Sequence, residues 1–116
     1  MTRACLVATI EYGAYVPAPF WFEVLYSLNG LAARSALSQG QIALFLSDVS
    51  DLDMTVDTTV DVFAMIDLQR IGQRSSLSIY DAAYLELALR LNLPLATRDI
   101  GLARSAEKAG VKLFSS

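Results

Sequence analysis

A chain of 116 residues, 54% apolar and with a net charge of −3, has the size of one domain with one core. It contains no histidine and a single cysteine, Cys5. That excludes Ser-His-Asp catalysis, His-ligated zinc, thiolate metal cages and an internal disulfide, and leaves chemistry to carboxylates, hydroxyls, Lys, Arg or Tyr.

The chain opens on a helical pattern over 2–12, ended by Glu11-Tyr12-Gly13, where glycine supplies a left-handed residue. A β-like run over 14–18 (AYVPA) follows, and Pro19 then starts a helix over 20–36. Ser38 and Gln41 have capping-box spacing ahead of a helix over 39–50. A strand over 53–56 leads to a helix over 58–73, with Thr58 or Asp57 as its cap. Ser78 and Asp81 repeat the capping-box spacing ahead of a helix over 78–91. Asn92 ends it, a strand over 94–97 follows, then a helix over 99–109, Gly110, and a strand over 111–114.

Three times a helical pattern ends at Gly or Asn and a short β-like run starts almost at once. Short loops between alternating elements indicate an α/β domain, a mostly parallel sheet covered by helices. No linker or repeat divides the chain, so one domain over 1–116 is expected. The longest charge-free stretch, Ser35 to Ser47, has 13 residues, short of the ~18 apolar residues of a membrane span. With no secretory leader in view and an unpaired cysteine, a soluble cytoplasmic protein is expected.

Charge is unevenly spread. Residues 47–69 hold six aspartates and no base, whereas residues 70–116 hold seven bases against four acids. A nucleic-acid partner would meet the second region. Glu86, four residues before Arg90, reads as a surface ion pair. The aspartates from Asp48 to Asp67 read as surface, with only Asp57 at a strand end.

Two other acids, Glu23 and Asp99, are expected where ligands bind in parallel sheets, beyond the carboxyl ends of strands, and Asp81 joins them if its helix packs with its N-terminus at the same end. Glu23 follows the run AYVPA within the first helical turn, among Phe20, Trp21 and Phe22. Asp99 follows LPLAT. Asp81 opens its own helix. Each also has a purely structural account: Glu23 as an acid favoured by the helix dipole, Asp81 as half of a capping box, Asp99 as a helix cap. The three carboxylates are expected to converge on one cleft, close enough to share a metal ion or its bound waters. Arg98 and Arg104, near Asp99, are the expected contacts to the phosphates of a nucleic-acid partner.

The segment LSIYDAAYLELALRLNLPLATRDIGLARSAEKAGVKLF closely resembles the C-terminal half of PIN-domain proteins, specifically the VapC-type toxins of bacterial toxin–antitoxin pairs. In these a YDA motif starts a helix and an LxTxD motif ends the next strand. AYVPAPFWFEVLYSL resembles their second strand and following helix. The resemblance runs from about residue 4 onward, is specific in the last forty residues and looser between 30 and 75. It implies a PIN-like three-layer fold and a Mg²⁺- or Mn²⁺-dependent ribonuclease. Glu23, Asp81 and Asp99 take three of four acidic roles, and Thr97 supplies the hydroxyl of LxTxD. It further implies an RNA substrate, a cognate VapB-type antitoxin and a homodimer. The family's opening strand, central in its sheet, and the Asp that ends it have no counterpart here. Tyr26 stands where the family often has Asn. The expectation is thus an N-terminally truncated PIN-like domain whose central strand is missing.

Two other functions compete. One is an inactive remnant that binds an antitoxin or another copy of itself. The other is a receiver-like phosphoacceptor domain, which would need an acid pair after its first strand and a Lys after its last.

Overall fold

The computed structural model describes residues 5–9, 13–58 and 61–114. Among them are four strands and five helices: β1 (Cys5–Thr9), β2 (Gly13–Pro17), α1 (Phe20–Ala33), α2 (Gln39–Ser50), β3 (Met54–Asp57), α3 (Val62–Ser75), α4 (Ile79–Leu91), β4 (Leu95–Thr97) and α5 (Ile100–Lys108). The fold is mixed α/β, as expected.

The helix starts follow the caps written in the sequence. Ser38 and Gln41 form a reciprocal capping box on α2. Ser78 Oγ accepts from the Asp81 amide at the start of α4, and Asp99 Oδ1 accepts from the Leu102 amide at the start of α5. Asn92 and Gly110 both take positive φ just after their helices, at 54° and 83°. The cap of α3 is not Thr58 or Asp57 but Asp61, whose Oδ1 accepts from the Ala64 amide at 2.8 Å. Asp57 stays in β3.

The N-terminus departs from expectation. Cys5–Thr9 is a strand rather than part of a helix; residues 2–4 and 10–12 of the expected helix lie outside the described residues. The sheet order is β3-β2-β1-β4, so β1 fills the central slot that was expected to be empty. It pairs antiparallel with both neighbours, Val7 lying opposite Tyr15 and Leu95. β2 and β3 pair in parallel. A helix over 2–12 was expected partly because a short connection cannot make a parallel crossover. An antiparallel return needs no crossover, and a short connection suffices.

Gly13 explains why the sequence misleads here. Its φ of 83° is the left-handed value that a helix end would use, but it serves as the first residue of β2, opposite Thr9. A Cβ there would lie 2.3 Å from the Asp53 carbonyl oxygen, which accepts the Ala14 amide at 2.9 Å. Gly13→Ala combines a disfavoured φ with a backbone clash. It should cost about 2 kcal/mol, read as a fall in the urea midpoint.

α4 packs against β1, β2 and β4, and against α3 and α5. Ala82, Leu85, Leu87 and Ala88 are buried, and the last three meet Val16, Leu95, Leu102 and Ala106 in one core. The pattern YDAAYLELAL is apolar almost all round, as a helix covered on several sides requires. The strand expected over 111–114 shortens to a parallel bridge between Leu113 and Leu95. Its two backbone bonds both go to Leu95, because β4 is only three residues long.

Candidate functional site

Strand directions fix the edge of interest. β2 and β4 both run opposite to β1, and β3 runs with β2. Pro17, Asp57 and Thr97 therefore end at one edge of the sheet. Glu23 lies in the first turn of α1, its amide donating to the Pro19 carbonyl at 3.0 Å. Asp99 lies two residues past β4, its amide donating to Thr97 Oγ1 at 3.0 Å, so the threonine hydroxyl shapes the turn that launches α5. Glu23 and Asp99 thus follow strands separated only by β1, a backbone spacing of roughly 10 Å.

Asp81 is 6% exposed at the start of α4. One turn later on the same face, Tyr84 is buried and its hydroxyl donates to Glu23 Oε1 at 3.1 Å. This bond ties the first turn of α1 to the part of α4 just past Asp81. The YDAAY spacing shows that Asp81 and Tyr84 share a face, but not that Glu23, 61 residues earlier, would meet it.

The donor set fits a hard cation by chemistry, since it offers only carboxylate oxygens. Among the described residues, however, no group of three or more Asp, Glu, Cys or His side chains stands together as a metal cage. Mg²⁺ does not require one. It commonly keeps several waters and takes one or two carboxylates plus substrate phosphates. The middle strand adds no acid: β1 reads CLVAT, and it reaches this edge with its first residue rather than its last. Arg98 and Arg104 are exposed, as a phosphate contact needs.

A second charged group was only half legible in the sequence. Arg90 binds Glu86 through Nε and Nη2 at 2.7 and 3.1 Å, and its Nη2 reaches Asp57 Oδ2 at 2.7 Å. Glu86 is buried, not the surface residue expected, because α4 is covered on that side as well. The hydrogen bonds to Glu86, and then to Asp57, raise the Arg90 pKa above its ordinary value, so it stays charged throughout the working pH range. The three side chains fasten the edge strand β3 to α4. Arg90→Met keeps the aliphatic stem but leaves both acids without their arginine. A cost of about 2 kcal/mol in urea unfolding is expected, between that of an exposed and a buried pair.

A cleft of about 500 Å³ lies beside this group, lined by Asp61, Asp67, Glu86, Arg70, Arg74 and Arg90 among others. Its three acids offset its three bases, and none of the expected site residues lines it.

Among the described residues no helix is long and apolar enough to cross a membrane. Comparison with curated proteins and with solved structures gives no match. The family model of the PIN domain matches residues 2–108, nearly the whole chain, with Glu23, Asp81 and Asp99 inside the matched range. The chain belongs to the PIN domain family, whose fold is generally that of a nuclease.

Proposed function

We propose that this protein is a VapC-like endoribonuclease, dependent on Mg²⁺ or Mn²⁺, that hydrolyses RNA phosphodiester bonds. The observation that carries the reading is the Tyr84–Glu23 bond, which joins the Glu23 turn to the Asp81 face of α4 in a PIN-family chain. Glu23, Asp81 and Asp99 hold the ion, directly or through its waters. When bound, it supplies a Lewis acid for the phosphoryl oxygens and an activated water. Thr97 fixes the Asp99 turn. Arg98 and Arg104 bind phosphates and so position the RNA without reading its sequence.

A cytoplasmic location, a VapB-type antitoxin and a homodimer belong to the same proposal. Support for a protein partner comes from exposed apolar side chains. Phe22 and Tyr26 on α1 are 74% and 83% exposed, and Val62 and Phe63 on α3 are 63% and 75% exposed. Apolar side chains of that size at the surface commonly mark interaction sites when they are contiguous.

One observation favours a second reading, an inactive binding module: the middle strand carries no acid to complete a set of four. Incubating the purified protein with labelled RNA separates the two. Cleavage with Mg²⁺ or Mn²⁺ that stops on adding a chelator supports the nuclease. Intact RNA under every metal condition, from a protein that still self-associates or binds an antitoxin, supports the module.

A further inference from the structure

We infer that Tyr84 is a positioning residue for Glu23: its buried hydroxyl holds the carboxylate in one orientation toward the metal site. This rests on the metal-site reading above.

Tyr84 is 3% exposed, and a phenol at that depth needs a hydrogen-bond partner. Many partners would satisfy it. A partner it has is Glu23 Oε1, at 3.1 Å, on a different helix and 61 residues away. The phenol donates its proton, so the carboxylate is the acceptor and can keep its negative charge. The hydroxyl engages one of the two carboxylate oxygens, Oε1.

Holding this carboxylate has a physical consequence. Glu has three side-chain torsions, and fixing such a side chain costs rotamer entropy. Glu23 is only half-buried, so packing alone does not fix it. α4 is rigid at this point: Ala82, Leu85 and Ala88 are all 1% exposed or less. A donor mounted on that helix meets part of the entropy cost during folding rather than during metal capture. Partners of metal-binding side chains commonly change affinity by about 10- to 100-fold.

The test measures binding of Mn²⁺ alone by titration calorimetry, without RNA, together with the melting temperature. Four proteins are compared: unsubstituted, Tyr84→Phe, Glu23→Gln and Leu85→Val. Tyr84→Phe removes only the hydroxyl. Leu85→Val thins the core at the next residue of α4 without touching the bond. The two should lower the melting temperature by similar amounts, about 5 °C. Only Tyr84→Phe should weaken Mn²⁺ binding, by about 10- to 100-fold. If Tyr84→Phe binds Mn²⁺ like the unsubstituted protein while Glu23→Gln loses it, the positioning role is overturned and the metal site stands. Equal weakening by Tyr84→Phe and Leu85→Val also overturns it, since a structural effect then accounts for the loss. If Glu23→Gln binds Mn²⁺ unchanged, the site reading falls and this inference with it.

Discussion

Replacing Glu23 with glutamine should lower Mn²⁺-dependent RNA cleavage by at least about a hundredfold, equivalent to about 3 kcal/mol of transition-state stabilisation. The melting temperature should move by no more than about 3 °C, less than the shift produced by losing a whole hydrogen bond. Both halves follow from the geometry. Glutamine has the same length and shape, and its amide oxygen can accept the Tyr84 hydroxyl as Glu23 Oε1 does at 3.1 Å. The substitution therefore keeps the link between α1 and α4 and removes only the charge. A hard cation held by carboxylates depends on that charge, because the neutral amide oxygen offers only a dipole. Cleavage rates at saturating Mn²⁺, with folding followed by circular dichroism, decide the matter. A variant that cuts RNA at the full rate would remove Glu23 from the site and leave its bond to Tyr84 as a purely structural contact.

What the sequence made legible was local. Ser38, Ser78 and Asp99 cap their helices because a hydroxyl or carboxylate finds an amide three residues on, and such a contact can be read from spacing alone. Asn92 and Gly110 end helices for a similarly local reason, their tolerance of positive φ. Gly13 shows the limit of that reading. Positive φ specifies a conformation rather than an element, and the same residue serves a helix end or the start of a returning strand. Which it serves here depends on Tyr15 and Leu95 lying on either side of Val7, and local pattern contains no term for that pairing.

The candidate site was legible to the same degree. Strand ends and helix starts located Glu23, Asp81 and Asp99. They did not show that a tyrosine one turn past Asp81 would meet Glu23, because the contact spans 61 residues. Arg90 is the instructive intermediate case. Its bond to Glu86 is an i, i+4 contact and was foreseen, while its bond to Asp57 joins residues 33 apart and was not. Local spacing also gave the wrong depth for Glu86. Whether a helix face is solvated depends on what the rest of the chain lays over it.

The largest effect on stability is expected at β1. Val7→Pro should destabilise the fold by about 3 kcal/mol or more, a large part of the ~5–15 kcal/mol that holds a typical domain. Val7 sits in the middle of a strand paired on both sides, opposite Tyr15 of β2 and Leu95 of β4. In a strand flanked by two antiparallel partners every amide points at one neighbour or the other, so proline removes a ladder bond whichever way Val7 faces. Its ring also fixes φ near −65°, far from the extended value of an antiparallel strand. The topology amplifies the local damage. In the order β3-β2-β1-β4, β1 lies between β2 and β4 and carries the sheet's hydrogen bonding from one to the other. Loosening it separates the Glu23 side of the sheet from the Asp99 side. Hydrogen exchange provides the companion measurement. Amides of Cys5–Thr9 should exchange as one cooperative unit with those of β2 and β4 in the unsubstituted protein. In Val7→Pro all three strands should lose protection together. A proline variant with its unfolding midpoint unchanged would show that the sheet does not depend on β1, and that β2 and β4 are held by the helices rather than through a central strand.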